Sequence, residues 1–246
     1  MFVHGFACDH TDWTAQVEAL RDRHRVVTCD LRGHGSAPGE PDDCSIETYG
    51  ADVAQLVEGL GLAPAILVGH SMGCRVVLEA ARQRPQGVAG LVLVDGSITG
   101  TGDADAAERA SRARIAAKGF HAFAADFFRG MFTVPFEGSE AIVRRASQLP
   151  ARIGLALFPR IARWDAQRMN DALAAVQVPV LVIQSTQMNA TLQRESMQPG
   201  QTSAWLDRVR EHAPHARVEI VAGAGHFVHV EAAGRVNALL RDFLTE

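Results

Sequence analysis

The sequence contains no long apolar run and no long run of charge of one sign. Its longest apolar stretches, such as 65–68 and 178–183, are far shorter than the roughly 20 residues that a membrane helix needs. Acidic and basic residues are mixed, with 24 Lys and Arg, 28 Asp and Glu and a formal net charge of −4. Because nucleic acids and anionic membrane surfaces attract basic clusters, the sequence predicts a protein without nucleic-acid or membrane partners.

Cysteine is scarce, and the patterns of signal peptides, metal sites and nucleotide sites are missing. The four cysteines show no C-x-x-C spacing and no basic-then-apolar leader precedes them, which predicts free thiols in a soluble, cytoplasmic protein. The ten histidines show no H-x-x-x-H or H-E-x-x-H spacing, and no G-x-G-x-x-G follows a predicted strand. We therefore expect neither a metal nor a nucleotide cofactor. The oligomeric state stays open.

Apolar residues, at 47% of the 246 positions, are abundant enough for one large core. Short buried-strand patterns alternate with helical patterns along most of the chain. The predicted strands lie at 1–3, 25–30, 65–68, 91–94, 178–183 and 218–221. Strands that alternate with helices indicate βα units, so we predict an α/β fold with a mostly parallel sheet of about six strands.

Residues 97–175 break this alternation, because they contain no strand-like run but many aromatic residues in a helical stretch. This predicts a helical cap on the carboxyl ends of the strands, where open α/β sheets bind ligands. The core domain would then comprise 1–96 and 176–246. Most of the aromatic side chains should form the cap's own core, and a few should line a pocket. The candidate substrate-binding residues are Phe6, His4, Phe128, Phe132, Trp164 and Phe227.

The segment Gly69-His70-Ser71-Met72-Gly73 follows a predicted strand and precedes a predicted helix. A serine hydroxyl is a weak nucleophile unless it is exposed beside a base. Glycines two residues before and after Ser71 allow the sharp strand-to-helix turn that exposes such a serine. The start of the helix also presents the Met72 backbone N–H to an oxyanion. We therefore predict that Ser71 is the nucleophile; the simpler alternative is a glycine-rich turn with an incidental serine.

Two loops that follow predicted strands supply partners for Ser71. In the first, the Phe6 backbone N–H is the candidate second oxyanion donor, and His4 more simply holds the loop. In the second, at 223–227, glycines let the loop aim the His226 imidazole as the base, and a closing helix is predicted at 231–244. The alternative bases, none of which directly follows a strand, are His212, His215 and His229.

Four motifs together resemble the α/β-hydrolase superfamily over nearly the whole chain. They are His4-Gly5, Asp30-Leu31-Arg32-Gly33-His34-Gly35-Ser36, Gly69-His70-Ser71-Met72-Gly73 and Gly225-His226-Phe227. The resemblance implies the α/β-hydrolase fold, a Ser–His pair and, at 32–36, a structural loop beside the oxyanion strand. Family members usually have two strands before the one that ends in His-Gly. This sequence shows neither, so we expect a shortened sheet in which 25–30 is an exposed edge.

The acid partner of His226 departs from the usual family position. Family members commonly place it after the next-to-last strand, but 184–189 contains no carboxylate. Asp95 instead ends the strand after the nucleophile's own, at the same carboxyl edge, and some relatives carry the acid there. Such a carboxylate fixes the imidazole tautomer and stabilises the imidazolium. We predict Asp95 as the triad acid; a helix-capping role for Asp95 and the alternative acid Glu195 stay open.

These residues favour a serine hydrolase that cleaves a small hydrophobic carboxylic ester through an acyl-enzyme. Two alternatives stay open: a cofactor-free dioxygenase-like enzyme that uses the His–Asp pair as a base, and a non-catalytic ligand-binding relative. Arg194, in the loop after the strand at 178–183, could contact a substrate carboxylate, although an arginine in a loop is usually solvated.

Overall fold

The computed structural model describes residues 1–189, 191 and 193–245. Its strands are β1 (Phe2–Val3), β2 (Thr28–Cys29), β3 (Ala65–His70), β4 (Val88–Val94), β5 (Val180–Gln184), β6 (Thr186–Met188), β7 (Arg194–Ser196) and β8 (Arg217–Ile220). Its α-helices are α1 (Thr14–Leu20), α2 (Ile46–Gly59), α3 (Met72–Gln83), α4 (Ala104–Ala116), α5 (Phe120–Arg129), α6 (Ser139–Gln148), α7 (Ala151–Ala174), α8 (Ala204–His212), α9 (Val228–Glu231) and α10 (Ala233–Phe243). Short 3₁₀ helices lie at His10–Trp13, Pro41–Asp43 and Pro85–Gly87.

Within these ranges, six strands form a parallel sheet in the order β2-β1-β3-β4-β5-β8. In the register of the three central strands, His70 lies beside Val94, and Val94 lies beside Ile183. Ser71 and Asp95 directly follow the first two of these positions. They therefore leave the sheet side by side at its carboxyl edge, and the predicted α/β fold with a parallel sheet is confirmed.

Helices cover both faces of the sheet, because the side chains of its central strands are apolar on both sides. Along β4, Leu91 and Leu93 belong to the core cluster that includes side chains of α2, α3 and α7. Val92 and Val94 belong to the other cluster, with side chains of α1 and α10. Successive side chains of a strand point to opposite faces, so each strand is packed into both cores. The sheet is thus a rigid layer that positions the residues at its edge.

Residues 97–175 form helices α4 to α7 between β4 and β5. This agrees with the expected helical character, while their division from the sheet as a cap domain stays a prediction. Arg75 of α3 and Asp165 of α7 form a buried ion pair with two N···O distances of 2.6 and 2.8 Å. The pair ties this helical segment to the helix that follows Ser71. In the described part of the chain, no helix has both the length and the apolar character of a membrane span.

Three predicted elements differ in detail. The strand expected at 25–30 is only Thr28–Cys29, since its neighbour β1 offers two residues for pairing, and it lies at the edge as expected. The helix expected at 231–244 begins two residues later as α10, because the backbone at Ala232 (φ −125°, ψ 42°) leaves the helical conformation and separates α10 from the short α9. The antiparallel pair β6–β7 was missing from the predicted strands, since each strand has three residues and is mostly polar.

Candidate active site

Ser71 lies between β3 and α3 in a strained backbone conformation, with φ 55° and ψ −112°. Residues other than glycine rarely adopt positive φ, and the surrounding structure must enforce it. The flanking glycines are required here, because a Cβ at Gly69 would overlap the Gly73 carbonyl, and a Cβ at Gly73 would overlap the Val3 carbonyl. This tight turn presents the Ser71 side chain at the carboxyl edge of the sheet.

The two predicted oxyanion donors lie beside Ser71. Met72 is the first residue of α3, so its N–H has no acceptor within the helix. Phe6 follows Gly5, which approaches the serine so closely that a Cβ on Gly5 would lie 3.2 Å from the Ser71 Cβ. Phe6 and Met72 line the same cavity as Ser71. This placement fits two N–H groups directed at one point, and their role as oxyanion donors stays a prediction.

Asp95 and His226 form the hydrogen bond that an acid–base pair requires. His226 Nδ1 and Asp95 Oδ2 are 2.6 Å apart, and both side chains are buried. Asp95 directly follows β4 in a bend with φ 45°, and its backbone N–H donates to the Ile183 carbonyl. Because the carboxylate accepts, the imidazole proton lies on Nδ1, and Nε2 keeps a free lone pair. This is the tautomer that a general base needs.

The turn after β5 holds the Asp95 carboxylate with four hydrogen bonds. Oδ1 accepts from the Ser185 N–H (2.8 Å), the Ser185 hydroxyl (3.0 Å) and the Thr186 N–H (2.8 Å). Oδ2 accepts from the Thr186 hydroxyl at 2.6 Å. The turn in which relatives commonly carry the acid thus supplies donors to an acid on the neighbouring strand. These donors fix the carboxylate in one orientation toward His226.

The backbone of His226 is held on both sides. Its N–H donates to the Met131 carbonyl and its carbonyl accepts from His70 Nε2, both at 2.9 Å. The His70 ring lies between the rings of His226 and His229, at centroid distances of 4.5 and 4.3 Å. Burial, followed by the positive charge of Arg194, lowers the pKa of His226 well below its usual range. The imidazole is therefore in its neutral, basic form at neutral pH.

Ser71 and His226 line one cavity at the carboxyl edge of the sheet. Its apolar wall includes Phe127, Phe128, Met131, Phe158, Ile161 and Met188. The free volume is about 20 Å³, which is space for about one water molecule. Among the described residues, no hydrogen bond joins the Ser71 hydroxyl to His226; such contacts are often loose before a substrate binds. The structure therefore brings the predicted nucleophile and base to one small cavity.

The predicted substrate-binding residues divide into two groups. Those that line the cavity are Phe6, Phe128 and Phe227. The lining, as far as the chain is described, does not include His4, Phe132 or Trp164. His4 is buried behind the loop, where its Nδ1 donates to the Gly5 carbonyl (2.8 Å) and its Nε2 accepts from the Leu31 N–H (3.0 Å). It therefore holds the loop that carries Phe6, and the predicted substrate contact of His4 finds no support in the cavity lining.

Two of the predicted aromatic residues lie behind the cavity lining. Phe132 stacks on Phe227 with the ring centroids 5.5 Å apart, so it supports a wall residue without being one. Trp164 is 1% exposed and lies against Glu79 of α3, in the core between helices. Trp164 is buried and Phe132 is partly buried, and periodicity alone does not separate a pocket wall from the layer behind it.

The alternative base and acid residues lie elsewhere. His229 is buried behind the His70 ring, and both of its ring nitrogens lack a described partner. His212 ends α8, and His215 lies beyond it at the surface. Glu195 lies in the β6–β7 hairpin, where its carboxylate accepts from side-chain amides. Asp95 is thus the carboxylate that the structure places against the candidate base.

Two buried arginines line the cavity, and the sequence carries little signal for either. Arg75 lies one turn after Ser71, and its partner Asp165 is 90 residues away in the chain. Arg194 is not solvated as expected of a loop residue: its side chain is 2% exposed. It lies in β7, and its N–H donates to the Gly130 carbonyl, which holds it inside. The described residues contain no cluster of three or more His, Cys, Asp or Glu side chains fit to hold a metal.

Sequence comparisons agree with this fold. The profile of the Alpha/beta hydrolase family matches residues 1–239. The sn-1-specific diacylglycerol lipase ABHD11 of Mus musculus is 42% identical over 103 residues, which are 41% of this chain and 33% of that protein. The dihydrolipoyllysine-residue acetyltransferase component of the acetoin cleaving system of Cupriavidus necator is 28% identical over 99% of this chain and 63% of its own length. The chain thus spans less than two thirds of either relative.

Solved structures share the architecture over the whole chain. A thermophilic esterase from Thermogutta terrifontis, solved with malate bound, has a TM-score of 0.80 at 28% identity, covering 99% of this chain and 88% of its own. The enol-lactonase from Burkholderia xenovorans LB400 has a TM-score of 0.75 at 24% identity, covering 100% of this chain and 90% of its own. The second likeness shows the fold alone.

Proposed function

The chain belongs to the alpha/beta hydrolase family, and on this basis we propose that it is a serine hydrolase of small hydrophobic carboxylic esters. The observation that carries the proposal is the buried Asp95–His226 hydrogen bond, which leaves Nε2 of a neutral imidazole free in the cavity that Ser71 lines. Ser71 is the proposed nucleophile, His226 the base and Asp95 the acid that fixes the base.

In the proposed reaction, Ser71 Oγ attacks the ester carbonyl carbon while His226 Nε2 takes the hydroxyl proton. The carbonyl oxygen becomes an oxyanion that accepts hydrogen bonds from the Phe6 and Met72 N–H groups. As the carbon–alkoxy bond breaks, the imidazolium returns its proton to the leaving alcohol. Water, deprotonated by the same nitrogen, then attacks the acyl-enzyme and releases the carboxylic acid and free Ser71. Asp95 stabilises the imidazolium in both halves.

The apolar cavity wall supports a hydrophobic substrate, and the small free volume supports a small one. A substrate larger than water must displace side chains of the wall before it reaches Ser71. Phe127 and Met188 are the partly exposed members of that wall, so the opening is proposed at these residues. We propose that α4 to α7 act as the cap that opens and closes over the site.

The test is hydrolysis of 4-nitrophenyl butyrate by the wild type, Ser71→Ala and the control Ser147→Ala, whose serine lies on α6 away from the cavity. We expect turnover by the wild type and the control, and a loss of at least about 10³-fold in Ser71→Ala. A fluorophosphonate probe should label the wild type and the control, and leave Ser71→Ala unlabelled.

Other outcomes would favour the alternatives. If no ester in a panel of short-chain esters is turned over and Ser71 is not labelled, the serine-hydrolase proposal is wrong. A protein that then binds small apolar ligands without turnover is the ligand-binding relative. Oxygen-dependent turnover of a heteroaromatic compound that survives in Ser71→Ala and is lost in Asp95→Asn would identify the dioxygenase-like enzyme.

A further inference from the structure

We propose that Arg194 binds a carboxylate on the substrate, so that the substrate is an ester whose apolar acyl part ends in a carboxylate. This specifies the substrate class of the serine hydrolase proposed above and rests on that function for its location beside Ser71. The proposal rests on a difference in hydrogen bonding between the two arginines that line the cavity.

Arg75 has all the partners that a buried guanidinium needs. Its Nε and Nη2 donate to the two oxygens of Asp165 at 2.6 and 2.8 Å. Its Nη2 also donates to the Ser97 carbonyl (2.7 Å), and its Nη1 donates to the Ser71 carbonyl (3.2 Å). A planar fork of this kind is well satisfied by one bidentate carboxylate plus backbone oxygens. Arg75 therefore has a structural role and needs no ligand.

Arg194 is equally buried but poorly satisfied. Its side chain is 2% exposed, and its Nε has no hydrogen-bond partner among the described residues. Its two terminal nitrogens donate only to hydroxyl oxygens, Thr186 Oγ1 at 3.4 Å and Ser97 Oγ at 3.2 Å. Five N–H groups thus share two long hydrogen bonds to neutral acceptors. Burying a charged group in this state is costly unless a further partner binds it.

Asp95 does not fill this role, although it is the nearest carboxylate. Its Oδ2 is 3.6 Å from Arg194 Nη1, which is beyond hydrogen-bond distance. That oxygen already accepts from His226 and from the Thr186 hydroxyl, and Oδ1 accepts three bonds from Ser185 and Thr186. The negative charge of Asp95 lies near Arg194, but the lone pairs of the Asp95 oxygens already accept hydrogen bonds from other residues. Three of the five N–H groups of Arg194 therefore have no acceptor among the described residues and remain available to a ligand.

The position of Arg194 in the cavity wall indicates which chemical groups a ligand needs. The residue lies in β7, opposite Met188 in the ladder with β6, and its N–H is bonded to the Gly130 carbonyl at 3.1 Å. The Arg194 guanidinium is therefore carried by a hydrogen-bonded strand and lines the same cavity as Ser71 and Phe127. A carboxylate matches a rigid guanidinium fork in geometry and charge. An apolar spacer between carboxylate and ester would match the remaining wall, so the half-ester of a short dicarboxylic acid has the required chemistry.

The experiment compares two substrates of similar acyl length, mono-4-nitrophenyl glutarate and 4-nitrophenyl pentanoate. The enzymes are the wild type, Arg194→Gln, Arg194→Lys and Arg210→Gln, a control at an exposed arginine of α8. We expect the wild type and the control to prefer the glutarate ester by about 10–100-fold in kcat/KM. Arg194→Gln should lose that preference, because KM for the glutarate ester rises more than KM for the pentanoate ester, while Arg210→Gln keeps the wild-type rates on both. Arg194→Lys should retain part of the preference.

Two outcomes would overturn the proposal. A wild type without preference for the anionic ester shows that Arg194 does not bind a carboxylate. Equal losses of kcat on both esters in Arg194→Gln show that Arg194 acts through Asp95 and His226. If neither ester is hydrolysed, the carboxylate site is tested independently of the proposed reaction by measuring the melting temperature with free glutarate. A rise in the melting temperature of the wild type that is absent in Arg194→Gln and is not reproduced by inorganic phosphate supports the site. Equal shifts in the two proteins, or with phosphate, refute it.

Discussion

Replacement of Asp95 by Asn tests the assignment of the triad acid most directly. The amide oxygen of Asn can take the place of Oδ1, where it still accepts from the N–H groups of Ser185 and Thr186. The amide NH₂ then takes the place of Oδ2, where it meets two donors, the Thr186 hydroxyl and the Nδ1–H of His226. His226 escapes this conflict by carrying its proton on Nε2. Nε2, the proposed proton acceptor, is then no longer a base.

The expected loss follows from two effects on the same step. The wrong tautomer removes the proton acceptor, and the missing charge no longer stabilises the imidazolium. Together they predict a fall in kcat of about 10³–10⁴-fold, or about 4–5.5 kcal/mol of transition-state stabilisation. The fold should survive, because the bonds to Oδ1 remain, and the free energy of unfolding should fall by about 1–3 kcal/mol.

The assay is steady-state hydrolysis of 4-nitrophenyl butyrate, with urea unfolding measured on the same preparations. The matched control is Glu195→Gln, which makes the same acid-to-amide change in the alternative acid on the β6–β7 hairpin and should keep the wild-type rate. A rate for Asp95→Asn within threefold of wild type would refute the triad. A larger loss in Glu195→Gln than in Asp95→Asn would move the acid to the hairpin.

Three further predictions concern protonation and packing. Because burial lowers the pKa of His226 below its usual 6.5, kcat/KM should stay constant on acidification until the pH is below 6.5. A decrease in kcat/KM whose midpoint lies at or above pH 6.5 contradicts this. Asp165→Asn leaves Arg75 buried without its counter-charge and should lower the unfolding free energy by about 3–5 kcal/mol in urea titrations; a loss below about 1 kcal/mol would contradict the buried pair. Burial lowers the pKa of His4 to about 3 and of His34 to about 4, so from pH 6.5 to 4.5 only the unfolded chain protonates them. The free energy of unfolding, measured by urea titration, should therefore decrease as the pH is lowered, by about 1.4 kcal/mol per pH unit for each histidine. A free energy that does not change with pH would refute this.

The features that were predictable from the sequence are local ones. The strand-turn-helix around Ser71 depends on glycines two residues away, whose absent Cβ atoms leave room for neighbouring carbonyls. The parallel sheet follows from apolar strands alternating with helices. Asp95 was predictable as a neighbour of Ser71, because the carboxyl ends of adjacent parallel strands meet at one edge of the sheet.

Elements with weak local patterns were not predictable. The β6–β7 hairpin is short and polar, and the break at Ala232 interrupts an apolar stripe that continues on both sides. Trp164 and Phe132 carry the same aromatic signal as Phe128, yet only Phe128 lines the cavity. Burial depends on which side of a helix meets the site, and that is decided by how the helices pack together.

The sequence by itself determined the parallel α/β architecture, the turn that carries Ser71 and the position of Asp95 beside it, since each depends on residues close together in the chain or at neighbouring strand ends. The role of His226 as the base stays a prediction. Only the tertiary structure decided what surrounds them. Ser185 reaches Asp95 across 90 residues, and Asp165 reaches Arg75 across 90. Such contacts form between residues far apart in the chain, and no local sequence pattern indicates which of these residues will meet. For the same reason Arg194, which the sequence predicts as a solvated loop residue, is a buried and incompletely hydrogen-bonded cation in the cavity that Ser71 lines.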